Sequence, residues 1–324
     1  MQADRRRINA PPGGTTAPVF NFSSNQSQLR RPTRTRSRDE HRKIFLRTGV
    51  VPSASGSAYY EVPPQDSAGS SRNLVPSSSN LKITCTVHGP RPLPRNAAFS
   101  PNLLLTTHVK FAPFATREGR GYVRDSSERD LGVHLETALR GAVIGERWPK
   151  SGCEVVITVL EGEEDGWWGG RGQGGKSGGW GMMSVLAGCI TVASAALVDA
   201  GIDCVDLVSG GVAALVQDSQ QQEAQVVLDP CPSEHEMKAA CVVAFLQSRE
   251  EMTEMWLKGD AGGETEALVD EAVKAASMTR TVLAEAVREA TELKMAKVTD
   301  DGAMSEEAKD AKIKSKGKDV VMTG

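Results

Sequence analysis

The residues from Gly170 to Ser177, GRGQGGKS, match G-x-x-x-x-G-K-[ST] letter for letter. In a phosphate-binding loop this spacing wraps backbone N–H groups around phosphates, with the Lys on the β/γ-phosphates and the Ser hydroxyl on Mg²⁺. Three features count against that chemistry here. The following helix should open at the Lys-Ser step so that its N-terminus faces the anion. Instead Gly178 and Gly179 come next, and each Gly disfavours helix by about 1 kcal/mol relative to Ala. Nine residues separate the apolar run ending at Leu160 from Gly170, whereas a phosphate loop leaves its strand directly. Finally, ten of the twenty residues from Gly162 to Gly181 are Gly, so a match by chance is easily met. The GxGxxG at Gly170, Gly172 and Gly175 has the same weakness, and AALVDAG, the only partner motif resembling a metal-binding strand end, reads as helix. The tract is read as a flexible insertion, with a P-loop nucleotide-binding protein kept as a remote alternative.

Other reactive side chains are scattered. Glu161, Glu163, Glu164 and Asp165 cluster ahead of the glycines and read as an acidic, solvated loop. The cysteines at 85, 153, 189, 204, 231 and 241 form no CxxC pair and mostly sit in apolar runs, as small buried hydrophobes do. Zinc needs clustered Cys/His ligands, and the five histidines are dispersed. No metal or other cofactor is expected. HExxH and EF-hand patterns are absent from the sequence.

Arginine is concentrated at the start. Residues 1–42 hold nine Arg against three acids, among Pro, Gly, Ser, Thr, Asn and Gln, and read as a disordered basic arm. Such an arm can contact phosphates without a fold or serve nuclear import, or it can be a plain solvated tail. The whole chain of 324 residues is nevertheless near neutral at −3, with 39% apolar and 5% aromatic residues, 32 Gly and 16 Pro. The apolar runs read as shorter than the roughly 18–20 residues of a membrane helix. MQADRRRINA lacks the apolar core of a secretory leader. The expectation is a protein of the reducing compartments with no membrane partner.

The elements that must position any site follow from periodicity. IFLRTGVV and GSAYYEV read as strands, followed by a Pro/Ser-rich loop over 63–80. In LKITCTVH, Leu81, Ile83, Cys85 and Val87 alternate with polar residues, a half-buried strand that GPRPLPR should break. Residues 102–111 are another strand. Asp125 and Glu128 stand at capping-box spacing before a helix with Leu131, Leu135, Leu139 and Val143 on one face. CEVVITVL reads as a strand, 161–181 as the glycine-rich insertion, and MSVLAGCITVASAALVDAG as a buried helix. DLVSGGVAALV reads as two strand pieces or one bent at Gly210-Gly211, followed by strands QVVLD and KAACVVAFL. SREEMTEMWLKGD is either a helix start or an edge strand with Met255 and Leu257 inward. The last helix covers 263–297, and 298–324 reads as a charged disordered tail. The domain is expected over 43–297, with mixed sheets packed against helices.

GSAYYE, TCTVHGPRP, ERDLGVHLETALRGAVI, VVITVLE with CITVASAALVDAGI, and DLVSGGVAALV resemble the ribonuclease PH family in order and spacing. RTG with ASGSAY, VLDP and VVAFLQSREEMTEMW are similar to its eukaryotic exosome ring members. The resemblance implies an α+β ribonuclease PH fold (ribosomal protein S5 domain 2-like). It also implies where phosphorolysis would occur. The family's first phosphate-binding Arg falls on Ser127, its second on Leu186, and its acid/base Asp on Ala239, with Asp229, Glu234 and Glu236 as neighbouring acids. Loss of both Arg removes the charge-assisted contacts that hold phosphate.

The expectation from the resemblance is therefore a noncatalytic RNA exosome ring subunit. It would partner other ribonuclease PH-type subunits, cap subunits and RNA, in nucleus, nucleolus and cytoplasm. Arg91, Arg95, Arg117, Arg120 and Arg124 are the candidate RNA contacts. An active phosphate-dependent 3'-to-5' exoribonuclease is the alternative.

Overall fold

The computed structural model describes residues 33–63, 80–116, 119–166, 179–217 and 224–319. Among the described residues, nine strands and three long helices stack in four layers. β1 (Phe45–Thr48), β2 (Gly56–Val62), β3 (Leu81–Pro92), β4 (Leu104–Phe111) and β5 (Ser151–Glu161) form a first sheet in the order β1-β2-β3-β5-β4. Only the β4–β5 pair is parallel. α1 (Ser126–Arg140) makes the crossover between them, as a parallel pair requires. β6 (Val208–Val216), β7 (Gln225–Leu228), β8 (Met237–Leu246) and β9 (Glu251–Gly259) form an antiparallel second sheet, β7-β6-β8-β9. α2 (Gly181–Asp199) lies between the sheets and α3 (Thr265–Asp319) covers the far side of the second.

The main core is the space around α2. Leu186, Ile190, Ala193 and Leu197 pack there with Ile83 and Cys85 from the first sheet and Val212, Val242 and Ala244 from the second. α2 is long and apolar enough to cross a membrane, which the run-length reading missed, but it is nearly all buried and its apolar surface is taken up by the two sheets. A smaller core joins Ala239, Cys241 and Val243 to Leu268, Ala272 and Ala276 of α3. β6 lies between both helices. A Cβ on Gly210 would stand 2.3 Å from the Ala187 oxygen in α2, and one on Gly211 would stand 2.2 Å from the Ala272 oxygen in α3. The Gly-Gly pair therefore does not interrupt the strand. It lets two helix backbones close on its opposite faces, and β6 runs unbroken through it.

Several expectations are corrected. β3 continues through the cis Gly89-Pro90 bond, because Arg91 and Pro92 still pair with Gly152 and Ser151 of β5. α1 stops at Arg140, and Val143 instead bridges to Cys204. SREEMTEMWLKGD is an edge strand, but Trp256 packs toward the core while Met255 and Leu257 face outward. The tail is helical through Asp319, consistent with its Ala, Glu and Lys content. Residues 33–42 of the basic arm are packed onto the body. Residues 1–32, 64–79 and 167–178, which include most of the arm, most of the 63–80 loop and the centre of the 161–181 insertion, lie outside the described residues, while Glu161 ends β5 and Gly181 opens α2. All six cysteines are free thiols, five of them buried.

Candidate functional site

Two places gather the chemistry. The first is a network of charges between the chain's start and the second sheet. Arg42, only 8% exposed, donates from Nε and Nη2 to the Asp229 carboxylate at 2.8 Å each and from Nη1 to Glu163 at 2.9 Å. Arg36 adds contacts to Asp229 at 2.9 Å and Glu234 at 3.4 Å. Burial alone would raise the Asp229 pKa, but the charges of Arg42, His41 and Arg36 outweigh it and hold the carboxyl well below its usual range. Arg34 donates to the backbone oxygens of Ser37, Glu40 and Leu228, which closes the turn leading into the fold. Sequence reasoning counted these arginines with a solvated arm. Their alternation with Asp39 and Glu40 gave no sign of distant carboxylate partners.

The second place is the N-terminal end of α1, where the family's phosphate site is expected. The capping box is formed as the spacing predicts, with Glu128 N–H donating to the Asp125 side chain and Asp125 N–H to the Glu128 side chain, and Ser126 N–H also donates to Asp125. Glu128 is buried and also accepts from Phe111 N–H and from Lys110 Nζ. The Ser126 N–H holds the exposed Asp125 carboxyl below its usual range. Ser127 donates to Asp125 and accepts from Arg120 at 3.4 Å. Arg120 lies 4.1 Å over the Phe111 ring and reaches the Met182 sulfur at the start of α2. The Gly181 N–H of α2 donates to Asp165 at 2.9 Å. Both helix N-termini thus already hold carboxylates, which oppose a further anion there.

The family's three catalytic positions do not come together. Leu186 is fully buried within α2. Ala239 belongs to the smaller core against α3, because strand alternation turns positions 239, 241 and 243 away from α2. Counting back three residues therefore lands on the wrong side of β8. Of the neighbouring acids, Asp229 and Glu234 are held in the ion network and Glu236 is exposed just before β8.

The candidate RNA contacts separate as well. Arg91 and Arg95 are exposed at the Leu104 end of the first sheet. Arg120 is at the Phe111 end, about 20 Å away at the 3.3 Å rise of a strand. Arg124 bonds to His108 at 3.1 Å, between the two ends. Arg117 lies outside the described residues. They do not form the single basic group the sequence suggested. The glycine-rich G-x-x-x-x-G-K-S segment also lies outside, but α2 begins only at Gly181, well past Lys176-Ser177. Asp199, the candidate metal-binding acid, accepts instead from Ser57 N–H and Lys294. Among the described residues no three His, Cys, Asp or Glu side chains converge as a metal would need.

With fold and site in place, the comparisons with known proteins fall into line. The family model described as 3' exoribonuclease family, domain 1, of ribonuclease PH type, matches residues 40–203, from the edge of the ion network to the end of α2. The chain belongs to this family. Its relatives include the exosome complex component MTR3 of Chaetomium thermophilum, 53% identical over 79% of this chain and 87% of that protein. Human exosome complex component MTR3 is 30% identical over 82% and 86% respectively. The crystal structure of rice Rrp46 superposes with a TM-score of 0.59 at 17% identity, covering 78% of this chain and 98% of that one, and so shares its fold. VLDP and VVAFLQSREEMTEMW, the segments that suggest an exosome ring subunit, resemble the mRNA transport regulator 3 subunit in particular. The two relatives named MTR3 bear that out.

Proposed function

We propose that this chain is a noncatalytic ring subunit of an RNA exosome, supporting 3'-to-5' RNA processing and degradation by assembly and RNA guidance. The observation that carries the reading is the chemistry at the family's phosphate positions. Ser127 supplies a hydroxyl already engaged with Asp125, and Leu186 supplies a buried apolar side chain. Catalysis of phosphorolysis needs cations fixed where charge develops, and Arg120 stands beside two carboxylate-filled helix ends. The relatives' names support the assembly role. Its partners in this reading are other ribonuclease PH-type subunits, cap subunits and RNA, in nucleus, nucleolus and cytoplasm. Arg91 and Arg95, exposed and free of the α1 contacts, are the stronger candidates for phosphate contact.

The test is affinity purification of the tagged chain from its own cells, followed by assay of the purified chain on RNA with and without inorganic phosphate. Recovery of other ribonuclease PH-type exosome components and no phosphate-dependent shortening by the chain itself are expected. Shortening that depends on phosphate would restore the active-enzyme reading. A purification without such components would end the exosome reading.

A further inference from the structure

Of the 16 prolines only Pro101 follows a Ser or Thr, so Ser100-Pro101 is the one Ser/Thr-Pro step in the chain. It lies in the segment that joins β3 to β4, residues 93–103, which holds no helix or strand. Phe99, Pro101 and Asn102 beside it are exposed, Phe99 by 73%. The half-buried Ser100 hydroxyl donates to the Asn102 backbone oxygen at 2.7 Å, a local bond that opens without disturbing the sheet.

The surroundings of this hydroxyl are cationic. Lys150 N–H donates to the Ser100 oxygen at 2.9 Å, and Leu93 N–H donates to the Lys150 oxygen at 3.0 Å. Lys150 is thereby held between the two ends of the segment. Arg91, opposite Gly152 of β5, comes two residues before Leu93, and Arg95 comes two residues after it. At about 3.3 Å per residue their backbones stand within about 7 Å of Leu93, so long side chains from both reach the Ser100 neighbourhood. Arg91, Arg95 and Lys150 are exposed, and among the described residues none is paired with a carboxylate. Residues 91–103 contain no Asp or Glu. Arg147, a further cation nearby, is taken by Asp203 at 3.2 Å.

From this we infer that Ser100 is a phosphorylation site for a proline-directed kinase, and that its phosphate takes up Arg91, Arg95 and Lys150 and withdraws them from RNA. The inference rests on the RNA-guiding role proposed above, in which Arg91 and Arg95 contact phosphate. The kinase transfers the γ-phosphoryl group of ATP to Ser100 Oγ, the hydroxyl proton passes to the kinase's catalytic base, and ADP leaves. Phosphoserine brings a charge of about −1.5 to −2 and three acceptor oxygens, which suits two or three cations in charge-assisted hydrogen bonds. A phosphate tethered beside its cations competes as an intramolecular ligand, whereas an RNA phosphate must arrive from solution.

The experiment treats the purified full-length chain with a proline-directed kinase and ATP and locates the phosphate by mass spectrometry. Binding of a fluorescent single-stranded RNA is then titrated at several salt concentrations. One phosphate on Ser100 is expected, and none at that position in Ser100→Ala. The modified chain should bind RNA at least about tenfold more weakly at low salt, and its slope of log affinity against log salt should flatten by about 0.7 for each cation withdrawn. Ser100→Ala should bind like unmodified wild type before and after kinase treatment. Arg91→Gln with Arg95→Gln should bind weakly from the start and lose little more when Ser100 is modified. A folded chain that the kinase leaves unmodified at Ser100, or a modified chain with unchanged RNA affinity, overturns the inference and leaves the RNA role intact. An equal further loss in the modified Arg91→Gln/Arg95→Gln chain overturns it in favour of general repulsion. Wild-type affinity in the unmodified Arg91→Gln/Arg95→Gln chain removes the RNA contact itself, and the inference with it.

Discussion

Arg42 keeps its charge where water scarcely reaches, and the whole arrangement around it follows from that. Its five hydrogen-bonding contacts go to two carboxylates and account for nearly all its donors. Removing one member of a buried ion pair leaves the other uncompensated, at a cost of about 3–5 kcal/mol. Asp229→Asn should therefore lose about that much stability at neutral pH, read by urea unfolding. The pH dependence has a definite sign. The Asp229 pKa is depressed in the folded chain, so its contribution is complete above the unfolded value of about 3.9 and is lost as pH falls from there through the folded value. Wild-type and variant stabilities should converge across that acid window. Curves that remain parallel through it would contradict the assignment.

At the scale of elements, β6 and β9 show how far local sequence reaches. The strands of the first sheet, the capping box of α1 and the apolar length of α2 were legible because each is written in local alternation, capping or helical period. The Gly210-Gly211 pair was not, since glycine inside a strand pattern looks like a break until the two helices that press on it are known. Gly211→Ala should push the new methyl into the Ala272 carbonyl and lower stability by about 1–3 kcal/mol, the usual cost of overpacking. Gly121→Ala, where a Cβ meets nothing within 4 Å, should leave thermal melting unchanged. A Gly211→Ala chain that melts with wild type would show that α3 does not pack there. The facing of β9 escaped for a related reason. Both of its faces carry apolar residues, and only the positions of α1 and α3 decide which is covered. The site was less legible than the fold. Ser127 and Leu186 are counted along helix motifs and Ala239 along a strand, and a count of residues does not say that positions 239, 241 and 243 of β8 face α3.

For the molecule as a whole, the glycine-rich insertion hangs on a narrow neck. Asp165 accepts from Gly181 N–H, and a Cβ on Gly181 would stand 2.2 Å from the Glu163 oxygen. With its ends so close, the loop's length enters stability only logarithmically, about 0.6 kcal/mol per doubling. Shortening 167–178 to about four residues should shift stability by no more than about 1 kcal/mol. Calorimetry of the shortened chain tests this, and a large fall in melting would mean the segment packs on the core.

The ion network also has a topographic consequence. Arg36 and Arg42 come from the root of the basic arm, and Glu163 stands at the neck of the glycine-rich insertion. One guanidinium therefore fixes the points from which both segments leave the body. The bases of two segments far apart in sequence are thereby locked to each other, and loss of Arg42 would release both at once.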